Sequence, residues 1–343
     1  MAKEINFGKI SIGENTRPVT IAEAAVEHLG SVKVAMRMAE TVRDIGADMI
    51  KYQMHLPDEE MIPDVIKFWG GSLDEILENY NLTTDDHKLL IDYCREIGVQ
   101  YLCTPFCPEA VDVLNELGVD AFKTGSGEMT NLPMMERLAS TGKPVIVSTG
   151  MCTLEEIEET VNCLKDNNAT FMIMNCTSIY PAPYEAINLN LIPEYADKFD
   201  LLVGHSDHTP DIWTSLGAVA VGARAIEKHF TLNRALKGPD YEVSLEPDEF
   251  GQMVDAIGKI HAALGSEKQI HDDEVMVRDW AHHSVVAIAD IPEGTVLQKD
   301  MIFVKRPGRG IPAKHLNDLL KYKTTRALKK DTILQWDDVT DKV

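Results

Sequence analysis

Val99-Gln-Tyr-Leu-Cys-Thr-Pro-Phe106-Cys-Pro-Glu109-Ala-Val-Asp-Val-Leu-Asn-Glu-Leu117-Gly118-Val-Asp-Ala121-Phe-Lys123-Thr-Gly-Ser-Gly127 reads as an apolar run, a helix-like segment and a second apolar run. Both runs are nearly continuous rather than alternating, as expected of strands buried on both faces. Gly118 ends the helix-like segment before the next strand begins. The unit is strand–helix–strand.

Outward from it, the same alternation extends over about residues 19 to 232. The runs are Val19–Val26, Asp48–Met54, Val99–Phe106, Ala121–Gly127, Pro144–Gly150, Thr170–Ser178, Leu201–Thr209 and Ala225–Thr231. Helix-like stretches between them include Ser31–Ile45, Thr84–Ile97 and Leu154–Leu164, with glycine closing two more at Gly46 and Gly98. Thr153 with Glu156 three residues on predicts a capping box. Eight units in series predict an α/β fold of the closed (β/α)8 type, a TIM barrel. An open doubly wound sheet is the runner-up, but no glycine-rich dinucleotide loop follows the first run.

The chain divides into a barrel over residues 1–264, opened by a hairpin within the first 18 residues, a polar linker at 265–282, and a small mixed module at 283–343. Its net charge of −22 argues against nucleic acid and anionic membrane as partners. The last 61 residues carry 11 Lys/Arg against 8 Asp/Glu, a net of +3, which leaves −25 on the remainder. No run approaches the roughly 20 apolar residues of a membrane span, and the start lacks a signal peptide's apolar core. A cytoplasmic protein is expected. The six cysteines show no paired CxxC spacing and read as reduced core thiols.

Barrels of this kind place chemistry at the C-terminal strand ends. Polar residues recur there: Glu23, Lys51, Gln53, Thr104, Phe106 beside it, Lys123, Ser126, Glu128, Ser148, Ser178, Tyr180, Ser206, His208, Glu227 and His229. Lys51 and Lys123 interrupt apolar strands, and a buried ammonium is costly unless an anion pairs with it. A structural pair with Glu23 or Glu128 is the bland explanation. The hydroxyls around the same mouth favour instead a doubly anionic substrate carrying phosphate and carboxylate. Each ion contact at about 4 Å contributes roughly 4 kcal/mol before desolvation. His208 and His229 close neighbouring strands beside carboxylates, which suits a divalent ion such as Mn²⁺ with positions open to substrate. Either histidine alone would read as a structural residue.

These motifs resemble the sialic acid synthase family, which includes N-acetylneuraminate, legionaminate and pseudaminate synthases. The resemblance rests on Lys51-Tyr-Gln53, Thr104-Pro-Phe106, Lys123-Thr-Gly-Ser-Gly-Glu128, Ser148-Thr-Gly-Met, Cys-Thr-Ser-Ile-Tyr180-Pro, His-Ser206-Asp-His208-Thr, Glu-Lys-His229-Phe-Thr and Gly-Pro-Asp240, in that order. The tail from Ser284 through Val-Lys-Arg306-Pro-Gly-Arg-Gly-Ile is similar to the antifreeze-like (SAF) domain. The resemblance implies condensation of phosphoenolpyruvate with N-acetylmannosamine, with C–O cleavage and phosphate release. The alternative sugar is the 2,4-diacetamido-2,4,6-trideoxymannose of legionaminate synthesis. It further implies a phosphoenolpyruvate pocket of Lys51, Thr104, Lys123, Ser126, Ser148, Ser178 and Ser206. A metal, Mn²⁺ ahead of Mg²⁺ or Co²⁺, would sit on His208 and His229. Gln53, Phe106, Glu128, Tyr180 and Asp240 would face the sugar, and Glu23 or Glu128 would handle the proton. A domain-swapped homodimer is implied, in which Arg306 reaches the partner's site. Two departures stand out: the first loop reads Ala-Glu23-Ala-Ala-Val-Glu27-His28-Leu-Gly30, and Ser178 stands where some relatives carry asparagine. Rival readings are a Schiff-base aldolase using Lys51 or Lys123 and a non-catalytic barrel.

Overall fold

The computed structural model of the chain describes residues 3–62, 67–68 and 71–340. Met1 and Ala2 of the N-terminal stretch and residues 341–343 of the tail lie outside the described residues. Two compact units divide at Gly265/Ser266.

The first unit holds eight parallel strands: β1 (Val19–Ala25), β2 (Met49–Met54), β3 (Gln100–Pro105), β4 (Phe122–Thr124), β5 (Val145–Ser148), β6 (Phe171–Cys176), β7 (Val203–Asp207) and β8 (Ala225–His229). The ladder runs β3-β2-β1-β8-β7-β6-β5-β4, and its two ends pack side by side to round off a nearly closed barrel. Helices follow each strand. Ser31 caps Val32–Asp44 by accepting from the Val34 N–H. Thr83 and Thr153 cap Thr84–Ile97 and Leu154–Asp166 through reciprocal bonds with Asp86 and Glu156. Gly98, at φ 85°, reverses the chain at a helix end as only glycine does without strain.

Strand residues sort by parity into two cores. Ile50, Tyr52, Tyr101, Phe122, Val145, Val147, Ile173, Val203 and Ile226 point outward and pack under the helices. The alternate residues Val19, Ile21, Met49, Leu102, Ala121, Ile146, Met172, Leu202 and Ala225 fill the barrel's lower interior. Phe7 and Ile12 join that inner core from an antiparallel hairpin, Glu4–Phe7 with Ile10–Gly13, which covers the floor.

The second unit pairs Ser284–Ala287 with Ile302–Lys305 antiparallel, over a core that includes Val285, Ile302, Ile311, Leu319 and Leu334. The stretch expected to be a linker differs: it contains a helix, Asp272–Ala281. His271 and Glu274 cap its start, and three acidic residues occupy its first turn, where the helix dipole favours them. Asp279 ties it to the module by pairing with Arg309 at 2.7 Å. Its apolar residues Val275, Met276, Val277 and Trp280 are all exposed, so burial imposed no apolar stripe that the sequence could have displayed.

Candidate active site

The same inward parity that builds the floor supplies the mouth. Two residues above Ile21, Met49, Leu102, Ala121, Ile146 and Ala225 stand Glu23, Lys51, Thr104, Lys123, Ser148 and Glu227. Register sets Glu23 beside Lys51 on one flank and His229 on the other, and Ser206 beside Glu227. One cavity of about 1070 Å³ at these strand ends is lined by every barrel residue singled out from sequence. It gathers Glu23, Lys51, Gln53, Thr104, Phe106, Lys123, Ser126, Glu128, Ser148, Ser178, Tyr180, Ser206, His208, His229 and Asp240. Arg306 belongs to the second unit, where it lies over the Trp280 ring at 5.0 Å and donates to the Ala281 carbonyl.

Ion pairing at the mouth matches expectation at Glu23, which pairs with Lys51, and departs from it at Glu128. Lys51 Nζ is 2.7 Å from Glu23 Oε2 and 3.3 Å from Glu227 Oε2, and Lys123 Nζ is 3.5 Å from Glu227 Oε1. Glu227, not Glu128, is the carboxylate shared by the two lysines. Burial alone would raise Glu227, but Lys123 and Lys51, with a hydrogen bond from Ser206, hold it at about 2. Burial pulls Lys51 down, yet Glu227 and Glu23 outweigh it and keep the ammonium above its ordinary range. Burial prevails at Lys123 and lowers it. Lys123 also donates to Ser148 Oγ at 2.7 Å and Lys51 to Thr104 Oγ1 at 3.2 Å. Burial raises Glu23 despite Lys51. Sequence places Glu227 at a strand end but assigns it no role, because Glu227-Lys228-His229 reads as one polar run. Parity counted from Ala225 sends Glu227 and His229 inward and turns Lys228 outward, to Asp207 at 3.2 Å.

Glu128 stands apart, with burial raising it to about 7 and its Oε2 buried without a hydrogen-bond partner. Glycine makes room here: a Cβ on Gly125 would come within 2.4 Å of that oxygen. One on Gly150 would meet the Ser178 and Ser126 hydroxyls at 2.3 and 2.6 Å. Asp240 is raised to about 7 by burial, then by Glu27 and Glu23. Its backbone N–H donates to Glu27 at 2.9 Å. The departing first loop thus braces the loop that carries Asp240. It does so through a turn with left-handed backbone at Ala25 (φ 42°) and Leu29 (φ 51°), which strains residues other than glycine.

The rings of His208 and His229 lie 5.3 Å apart, with Tyr180 stacked on His208 at 4.1 Å and edge-on to His229. His208 donates Nδ1–H to the Thr177 carbonyl at 2.7 Å, which leaves Nε2 as the nitrogen available to a ligand. His229 Nδ1 is buried without a hydrogen-bond partner, with Asp240 Oδ2 3.7 Å away. Burial and then the neighbouring His208 lower His229 far below its ordinary range, so its imidazole is neutral. Among the described residues no group of three or more His, Cys, Asp or Glu side chains is arranged to hold a metal ion. Two adjacent imidazoles, one of them orphaned, fit an open site whose remaining positions belong to water and substrate, not a closed structural one.

A parallel barrel with buried cations and imidazoles at one mouth, followed by a small β module, defines an α/β barrel protein with an appended domain. The chain belongs to the NeuB family, whose model matches residues 38–269, and a SAF domain matches residues 282–340. It is 37% identical to the N,N'-diacetyllegionaminic acid synthase of Campylobacter jejuni, over 93% of this chain and 99% of that one. It is 33% identical to the human N-acetylneuraminate-9-phosphate synthase, over 92% and 91%. The crystal structure of N-acetylneuraminic acid (sialic acid) synthetase from Leptospira borgpetersenii, in complex with citrate, matches with a TM-score of 0.74 at 32% identity. That match covers 81% of this chain and 95% of the other. Its relatives thus include sialic, legionaminic and pseudaminic acid synthases.

Proposed function

We propose that the chain condenses phosphoenolpyruvate with the open-chain aldehyde of an N-acetylated amino sugar, releasing inorganic phosphate by C–O cleavage. The observation that carries this reading is the pair of buried lysines sharing one barrel mouth with two neighbouring imidazoles. Lys51 and Lys123, with the hydroxyls of Thr104, Ser126, Ser148, Ser178 and Ser206, bind the phosphate and carboxylate. Gln53, Phe106, Glu128, Tyr180 and Asp240 orient the sugar above them. C3 of the enol bonds to the aldehyde carbon, C2 takes water, and the adduct expels phosphate. Glu23 or Glu128 relays one proton of that water to the aldehyde oxygen, which becomes a hydroxyl, and the other leaves with phosphate as C2 becomes a carbonyl. His208 and His229 would hold a divalent metal, Mn²⁺ ahead of Mg²⁺ or Co²⁺, which when bound supplies Lewis-acid polarisation of the aldehyde oxygen. Arg306 would reach the sugar in a partner copy of a domain-swapped homodimer. The six free thiols fit a cytoplasmic home.

N-acetylmannosamine is one sugar reading, on the Gly238-Pro-Asp240 motif. A second, 2,4-diacetamido-2,4,6-trideoxymannose, is favoured by the 37% identity to a legionaminic acid synthase. Parallel phosphate-release assays with phosphoenolpyruvate, Mn²⁺ and each sugar decide between them. Release with neither sugar rejects both sugar readings and leaves the aldolase and the non-catalytic barrel as the rivals to test. Lys123, lowered by burial, is the better candidate for a Schiff base. A borohydride-stable lysine adduct with pyruvate would favour that aldolase instead.

A further inference from the structure

Behind the two imidazoles, on the outer face of the same strands, lies a second pair. β7 and β8 run in register with Asp207 opposite Lys228. The residue after each is His208 or His229, which turns inward to the cavity. Lys228 Nζ is 3.2 Å from Asp207 Oδ2, and both side chains are fully buried. The ammonium also donates to the Thr209 carbonyl, and to Thr209 Oγ1 at 3.3 Å. Asp207 Oδ1 accepts from the Thr209 N–H and hydroxyl, each at 2.9 Å. Its Oδ2 accepts from Thr214 Oγ1 at 2.7 Å and Ser215 Oγ at 2.6 Å, both at the start of the helix Trp213–Ala220. The chain on either side of His208 is thus tied down, and Lys228 carries the tie across to β8.

Packing alone does not call for charges at this place. Outward positions under the helices carry Ile50, Tyr52, Tyr101, Phe122, Val145 and Ile173, among others. Replacing a buried ion pair by apolar groups of similar volume is often neutral or stabilising. What a hydrogen-bonded ion pair adds is a fixed relation between the two strand ends that it joins. Such a relation matters here because the two rings are anchored unequally. His208 donates to the Thr177 carbonyl at 2.7 Å, and its own carbonyl accepts from the Ala182 N–H at 2.9 Å. The His229 ring lacks that anchor, since its Nδ1 is buried without a hydrogen-bond partner. Its place follows from its backbone, held by Lys228 before it and by the Leu245 N–H, which donates to its carbonyl at 2.9 Å.

We infer that Asp207 and Lys228 are positioning residues, a clasp on the outer face of β7 and β8 that fixes the spacing of His208 and His229 on the inner face. A site with two protein nitrogens and open positions depends on both arriving at one point, so small shifts of either strand end weaken it. Asp207, Lys228, Thr214 and Ser215 all lie outside the lining of the cavity. The clasp therefore acts through the backbone and touches no substrate. It rests on the metal reading above and not on the condensation.

Mn²⁺ binding to the full chain, followed by the EPR signal of the free ion without substrate, tests the clasp directly. Asp207→Asn with Lys228→Met removes both charges together, so neither is left buried and unpaired. The asparagine still accepts from Thr209, so what is lost is the tie between the strands. The Mn²⁺ dissociation constant is expected to rise about 10- to 100-fold, with the thermal transition within about 4 °C of the parent. Arg17→Met with Asp48→Asn neutralises a pair at the opposite ends of β1 and β2. That control should leave the Mn²⁺ constant within about twofold. A parent-like constant in the first double variant overturns the inference, as does an equal loss in the control. If the first variant does not fold, Thr214→Val with Ser215→Ala strips two donors from Asp207 and should weaken Mn²⁺ about 10-fold. No change there overturns the inference equally. Mn²⁺ that binds the parent no more tightly than it binds His208→Ala rejects the metal reading and the clasp with it. A parent that holds Mn²⁺ through His208 yet releases no phosphate with either sugar sinks both sugar readings and leaves the clasp standing.

Discussion

The floor and the mouth of this barrel are built from the same strands and the same inward-facing positions, two residues or roughly 7 Å apart. At the floor those positions carry Ile21, Met49, Leu102, Ala121, Ile146 and Ala225. At the mouth they carry Glu23, Lys51, Thr104, Lys123, Ser148 and Glu227. The floor is apolar and covered by Phe7 and Ile12, and it contributes by packing. The mouth buries two cations and two carboxylates, which stabilises the fold far less than packing of equal volume would. Along a single strand, stability and chemistry therefore separate by one turn of the pleat.

That separation is easiest to break at the mouth. His208→Ala, or a chelator added to the parent chain, should lower phosphate release on the order of 10³-fold or more while leaving the thermal transition nearly where it was. Full turnover in His208→Ala with chelator present would reject the metal role. At the floor the pattern reverses. Phe7→Ala removes a fully buried ring and should cost about 3–5 kcal/mol in urea denaturation, with kcat per folded molecule unchanged. Loss of kcat without loss of stability would show the two layers to be coupled.

A pH series sharpens the contrast. Burial lowers His28 and His87 to about 4, so each contributes stability that is present above 6.5 and lost as pH falls toward 4. The loss is about 3 kcal/mol each, and His87→Gln should remove its share of the slope. Glu128 has the opposite sign. Raised to about 7, it contributes stability that is present below 4.5 and lost as pH rises through 7, and Glu128→Gln abolishes that loss. The smallest effect belongs to neither layer: Thr153→Ala should cost about 1 kcal/mol through its helix cap, with turnover untouched.

Most of the barrel was legible because its strands are buried on both faces and so stand out as continuous apolar runs. The lysines were legible for the same reason, as interruptions of those runs. Glu227 was not, since three polar residues in succession hide which of them faces inward. The helix Asp272–Ala281 escaped for a different reason: its apolar residues are exposed rather than gathered on a buried face.

The hairpin plug has a kinetic corollary. With Phe7 and Ile12 filling the bottom, the lysine layer is the end of a blind well, and the rim where Tyr180 and Asp240 stand lies above it. Two guests sharing such a well have to queue. On the proposed reaction, the anion held by the lysines would enter first and the larger guest would close over it. Initial rates should therefore follow a compulsory order, and a pattern in which either guest arrives first would contradict this layering.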